Sequence, residues 1–210
     1  YAFANRNAIK IVQLPSSLAE ISSTAFNHCM EIQEYRIDSS NKNYIVVDGV
    51  LFTADKKTLV SFPTGSDKIS YSIPEGTEHV GDYAFSHNTI LNELNICKSL
   101  KTVGDYGFYQ MSACKGTIEF STALQSIGKY AFSHCLSIDE FIIPDNTLKV
   151  IEQGTFECID GTYEFIIPSG VTEIGVDAFR EVGYLVYVEI PNTVKKIDDR
   201  AFYDMDDLHN

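Results

Sequence analysis

The chain has 210 residues, 44% of them hydrophobic, with five cysteines and a formal net charge of −13 at pH 7. Ordinary apolar content without a run of 18 apolar residues excludes both a disordered chain and a membrane-spanning helix. The acidic balance excludes the basic footprint of a nucleic-acid binder and disfavours anionic membranes. Basic or neutral partners and a monomeric state fit it better.

Taken along the chain, phenylalanines keep time. Phe3, Phe26, Phe85, Phe108, Phe132, Phe156, Phe179 and Phe202 are separated by 23, 59, 23, 24, 24, 23 and 23 residues. One unit recurs, with a single long insertion, and a fixed period of this length marks a stacked-repeat architecture. Each unit opens on alternating apolar residues, as in Ile9-x-x-Val12-x-Leu14, Ile32-x-x-Tyr35-x-Ile37, Leu91-x-x-Leu94-x-Ile96, Ile138-x-x-Phe141-x-Ile143 and Leu185-x-x-Val188-x-Ile190. This predicts strands that point alternate side chains inward. A proline or a substitute follows (Pro15, Pro74, Cys97, Ser121, Pro168, Pro191). Proline has no N–H for a ladder, so it ends the pairing. Five residues before the anchor stands a β-branched residue (Ile21, Val80, Val103, Ile127, Ile151, Ile174, Ile197), often followed by glycine, where a positive φ is expected. The Phe anchors are expected to lie buried in one continuous file. No unit seals its own core, so stability must come from neighbour stacking.

The insertion, residues 41–70, predicts an antiparallel excursion. Asp48-Gly49 reads as a two-residue hairpin turn and Asp55-Lys56-Lys57 as a second polar turn. Deleting the excess of 36 residues (59 less 23) is expected to spare the rungs on either side. The unbroken period makes residues 1–210 one elongated domain. Opening at Tyr1-Ala2-Phe3 and closing soon after Phe202, both mid-unit, the chain reads as part of a longer protein.

No pattern for chemistry stands out. There is no Gly-x-Ser-x-Gly, phosphate loop or dinucleotide fingerprint, and Gly81, Gly104, Gly128 and Gly175 follow the repeat phase. His28-Cys29 and His134-Cys135 fall at one phase several rungs apart, about 20 Å on a ladder of ~4.8 Å, too far to share a zinc ion. No catalytic residue, cofactor or metal is expected. Cys29, Cys135 and Cys158 sit just past their anchors, either as small apolar residues in a packed turn or with Cys135 and Cys158 as a disulfide. Tyr1, Tyr83, Tyr106 and Tyr130 precede their anchors by two residues, to line the turn or to form an aromatic platform for sugars.

Two outward-facing columns complete the strand face. One reads Ile11, Glu34, Glu93, Thr117, Glu140, Glu164, Tyr187; the other reads Gln13, Arg36, Ser72, Asn95, Glu119, Ile142, Ile166, Glu189. The candidate ligand site is Ile142, Ile166 and Tyr187, with Glu140, Glu164 and Glu189 around them, where apolar area supplies desolvation and the carboxylates steer a basic partner. A merely solvated face is the alternative.

The string Ile-x-Ile-Pro, then Ile-Gly, then Ala-Phe and Cys is nearly whole over residues 121–135 and 166–179. It resembles the BspA-like leucine-rich repeat, over seven or eight units and about four-fifths of the chain. Residues 44–63 resemble an insertion common in that family. The resemblance implies an α/β-type repeat solenoid: a right-handed curved stack of about eight rungs with a parallel strand face, turns or short 3-10 pieces on the convex side, and one β-hairpin insertion. It also implies a non-catalytic adhesion module, at the cell surface or secreted, that binds a host, matrix or cell-surface protein. A spacer for another domain and a carbohydrate-binding surface are the alternatives. Gly107 and Thr155 in place of Ala, and Cys114 or Lys115 at an apolar position, mark rungs expected to pack less well.

Overall fold

A computed structural model describes residues 3–6 and 8–205. The alternating segments form one file of strands: Ile11–Leu14, Glu34–Ile37, Ser70–Ser72, Glu93–Asn95, Gly116–Glu119, Ile138–Ile142, Glu164–Ile166 and Tyr187–Glu189. They pair in parallel, two by two, about one repeat apart in sequence. Inward residues such as Val12, Tyr35, Leu94, Ile118 and Phe165 are buried.

A second parallel file was not expected. The β-branched residue five before the anchor closes a two-residue strand in His79–Val80, Thr102–Val103, Ser126–Ile127, Val150–Ile151, Glu173–Ile174 and Lys196–Ile197, and these too pair rung to rung. The molecule is therefore a β-solenoid of about eight turns, and the α/β class is corrected. Among the described residues there is no helix, and the expected 3-10 pieces are absent as well. The reason lies in the turns. Residues two before and two after the anchors from Phe85 to Phe202 adopt left-handed backbone, as in Tyr83 (φ 58°), His87 (64°), Tyr106 (57°) and Gln110 (57°). That conformation interrupts any right-handed helical run. The turn N–H groups also donate outward: Phe85 to the Gly107 carbonyl (2.8 Å), Phe108 to Ala131 (2.8 Å) and Phe132 to Thr155 (2.9 Å). A helix would satisfy them within itself.

The repeat-phase glycines serve close approach, which corrects the expectation of positive φ. Asp82 Oδ1 accepts the Asp105 N–H at 3.0 Å, and Asp105 Oδ1 accepts the Lys129 N–H at 2.8 Å. Each carboxylate thus lies across the glycine of the next rung. A Cβ on Gly104 would stand 2.4 Å from Asp82 Oδ1, and one on Gly128 would stand 2.6 Å from Asp105 Oδ1.

Phe85, Phe108, Phe132, Phe156 and Phe179 are fully buried, with successive rings stacked at 5.1, 5.0, 6.0 and 5.4 Å. The file is not continuous, however. Phe3 is 45% exposed at one end, and Phe26 stacks on Phe3 but not on the rest. Phe62, inside the insertion, is the next member: it stacks on Phe85 at 5.0 Å, and its N–H bonds the Ala84 carbonyl as the other anchors do. The substituted rungs pack well. Gly107, Cys114 and Thr155 are all buried, and Thr155 Oγ1 bonds the Glu152 carbonyl at 2.9 Å. Only the widest ring spacing in the file, 6.0 Å, falls beside Thr155.

The insertion holds three antiparallel strands, Tyr44–Val47, Val50–Thr53 and Thr58–Ser61, with Asp48 (φ 50°) and Gly49 (83°) at the first turn. The third then runs parallel to His79–Val80 and joins the second file. Leu51 enters a small core with Val12, Ile32 and Tyr35, whereas Val50 and Phe52 enter the large core of all later rungs. Residues 41–70 are therefore woven into the stack. Their deletion is expected to lower the melting temperature of the rungs after residue 71 by several degrees, since it strips the ring that covers Phe85. Thermal denaturation followed by circular dichroism checks this, and an unchanged transition would restore the hairpin to a dispensable ornament.

Candidate binding face

The first strand file sets the outward columns in register. Glu164 lies opposite Tyr187 and Ile166 opposite Glu189, while Thr117 pairs with Glu140 and Glu119 with Ile142. All six candidate residues are solvent-exposed, with Ile142 at 41%, Ile166 at 60% and Tyr187 at 51%. Covering the part of Ile142 and Ile166 that is still exposed would contribute about 1 kcal/mol each. Sequence reading missed the neighbours that enlarge this patch, Tyr163 (60%) and Val186 (59%). They flank the strands instead of sitting at strand phase, so periodicity carried no signal for them.

Charge is distributed unevenly around the solenoid. From Ser70–Ser72 to Tyr187–Glu189, no strand of the first file contains Lys or Arg. The cations gather on the second file and the turns. There Lys57 and Lys101 bridge Glu78 at 2.9 and 2.6 Å, Lys196 bridges Glu173 at 2.7 Å, and Arg200 grips Asp177 through two bonds of 2.8 and 2.7 Å. The two lysines hold the Glu78 carboxyl well down, at about 2. On the strand face Glu140 accepts a bond from the Thr117 hydroxyl at 3.1 Å, and among the described residues no cation bridges it. Unneutralised carboxylates beside exposed isoleucines give a surface that is apolar at its centre and acidic around it.

The turn column offers less. Tyr83, Tyr106 and Tyr130 stack face to face at 4.9 and 5.0 Å. A Cβ on Gly154 would lie 2.3 Å from the Tyr130 ring, so this glycine makes room for the last tyrosine. Both faces of Tyr106 are covered, which removes the open ring a sugar platform needs. Tyr1 lies outside the described residues.

His28 does not approach His134; its ring meets His87 instead, and no cluster of three metal-ligating side chains occurs among the described residues. All five cysteines are free thiols. Cys135 is buried, its thiol donating to the Phe108 carbonyl at 3.1 Å, and burial pushes its pKa up; Cys158 is half-buried and raised to about 12, first by burial and then by Glu181. Such thiols are poor nucleophiles.

Parallel strand files with one ring per turn define a leucine-rich-repeat solenoid. The BspA type Leucine rich repeat region matches residues 1–77, 60–115 and 78–209, and the chain belongs to this family. Its fold is similar to a leucine-rich repeat protein from Eubacterium ventriosum (TM-score 0.75, 20% identity, 93% of this chain and 59% of that one). It is also similar to a leucine rich cell surface protein from Faecalibacterium prausnitzii (0.66, 21%, 97% and 47%). The pneumococcal vaccine antigen PcpA is a third (0.58, 22%, 90% and 44%). The chain thus spans roughly half the length of these structures. No curated protein matches it.

Proposed function

We propose that this chain is a non-catalytic protein-binding module of a surface-displayed or secreted protein, and that its ligand lies across the first strand file. The carrying observation is the exposed Ile142–Ile166–Tyr187 cluster, set among Glu140, Glu164 and Glu189 on strands that lack any cation. The partner is a folded protein with a basic, partly apolar patch, of the kind a host, matrix or neighbouring cell surface presents. Display at the surface is supported by the cell surface protein and the vaccine antigen among the similar structures. Glycan recognition is the weaker reading, because the central Tyr106 of the stacked column has both faces covered.

Screening the chain against purified matrix proteins and a glycan array tests this. For a captured protein, Ile166→Asp is expected to weaken binding about tenfold or more, and Glu164→Lys to slow association and flatten its salt dependence. Neither should move the melting temperature, since both side chains face solvent. Unaltered affinity in both variants would move the site off this face.

A further inference from the structure

The stack is interrupted once. Between the turn that carries Phe26 and the turn that carries Phe62 the ring file stops, and Phe26 meets Tyr35 edge-on at 5.2 Å. Elsewhere the turns are joined by main-chain bonds, but among the described residues none of these leaves Thr24, Phe26 or His28 for the next turn. The core divides at the same place. A small cavity lies in the seam, lined among others by Asn27, Tyr35, Ser61 and His87. The buried Asn27 Oδ1 has no hydrogen-bond partner. Leu51 crosses into the N-terminal core and the Tyr35 N–H donates to the Gly49 carbonyl at 3.1 Å; the remaining ties on the turn side are polar. Tyr35 Oη and Ser61 Oγ share a bond of 2.8 Å, Thr64 Oγ1 donates to the Cys29 carbonyl at 3.0 Å, and the Gly65 N–H donates to the Ile32 carbonyl at 2.7 Å. Beside these lies a pair of imidazoles, His28 and His87, with ring centroids 3.8 Å apart.

We propose that this seam is an acid-operated hinge, in which the His28–His87 pair closes the N-terminal rungs onto the rest while neutral and drives them apart once protonated. The two rings belong to opposite sides of the seam, so charge on both acts directly across it. His87 is only 6% exposed, and its Nδ1 is taken by Ser86 Oγ at 2.6 Å. Burial first, then His28, pulls the His87 pKa down to about 4. With the seam open, the ring returns to its ordinary value of about 6.5. The open form therefore binds more protons: closure is fully stable above about pH 6.5 and is lost as pH falls toward 4. Nothing nearby offsets this charge. Tyr109 meets His87 edge-on at 5.3 Å, and Tyr83, Tyr35 and Cys29 line the seam; all stay neutral in acid, and no Asp or Glu is among the lining residues.

Hydrogen–deuterium exchange of the whole chain at pH 7.5 and pH 5.0, corrected for intrinsic rates, tests the hinge. At pH 5.0, segments 28–36 and 61–66 are expected to exchange about tenfold faster, with segments 102–110 and 126–135 unchanged. His87→Asn should abolish this gain and His28→Asn should reduce it, as asparagine tolerates the left-handed backbone at both positions (φ 57° and 64°). His28 is exposed, so its variant is informative even if the His87 one fails to fold. Equal protection at both pH values, uniform loosening of the whole chain, a full acid response in a folded His87→Asn variant, or an undiminished one in His28→Asn would each overturn the proposal.

Discussion

Phe132→Ala is expected to lower the unfolding free energy by about 3–5 kcal/mol, and Phe3→Ala by less than about 1 kcal/mol, although both hold the same phase of the repeat. Phe132 is fully buried. It stacks on Phe108 and Phe156 and takes Phe120 and Phe141 edge-on at 6.1 and 5.1 Å. No adjoining group can collapse into the space without breaking the rung-to-rung bonds on either side. Phe3 touches one ring only and is 45% exposed. Phe62→Ala should behave like Phe132→Ala, because Phe62 is 1% exposed and covers Phe85. Urea unfolding measures all three. A small loss at Phe62 would mean that the insertion is not a rung.

Gly104→Ala is expected to cost about 2–3 kcal/mol, a large effect for one methyl group. The new Cβ would stand 2.4 Å from Asp82 Oδ1 and 2.6 Å from the Asp82 backbone nitrogen, so the rung below must move. Moving it also breaks the bond from the Asp105 N–H to that same carboxylate. Gly116→Ala is the control, with open space around the Cβ but φ +80°, and should cost about 1 kcal/mol from backbone strain alone. Equal losses at the two sites would mean that close approach is not what selects glycine there.

Much of this architecture was legible because the repeat writes each contact several times. The Phe period, the alternating strands and the Asp48-Gly49 turn all carry local signals, and the structure places each accordingly. Phe62 was equally readable, 23 residues before Phe85, but the strand-rich insertion around it drew attention to hairpins. The second strand file was hidden for a different reason. Two residues cannot show an alternation, and parallel pairing at Thr102–Val103 depends on the neighbouring rung rather than on local pattern. Glycine at Gly104 and Gly128 looks the same in sequence whether it serves a left-handed turn or an overlying carboxylate. The candidate face was legible as a column of outward residues. The lack of Lys and Arg on its strands was legible too; the engagement of Lys57, Lys101, Lys196 and Arg200 on the other side of the solenoid was not, because it depends on which rungs meet.

The position of a bound protein ligand separates a strand-face site from one on the turns. A hydrogen-exchange footprint of this chain, with and without a matrix protein retained by the binding screen, locates it directly. Protection is predicted over 138–143, 163–167 and 186–190, with the stacked tyrosines at 83, 106 and 130 unchanged. Protection confined to those turns, with the strand segments unaffected, would contradict a ligand on the strand face.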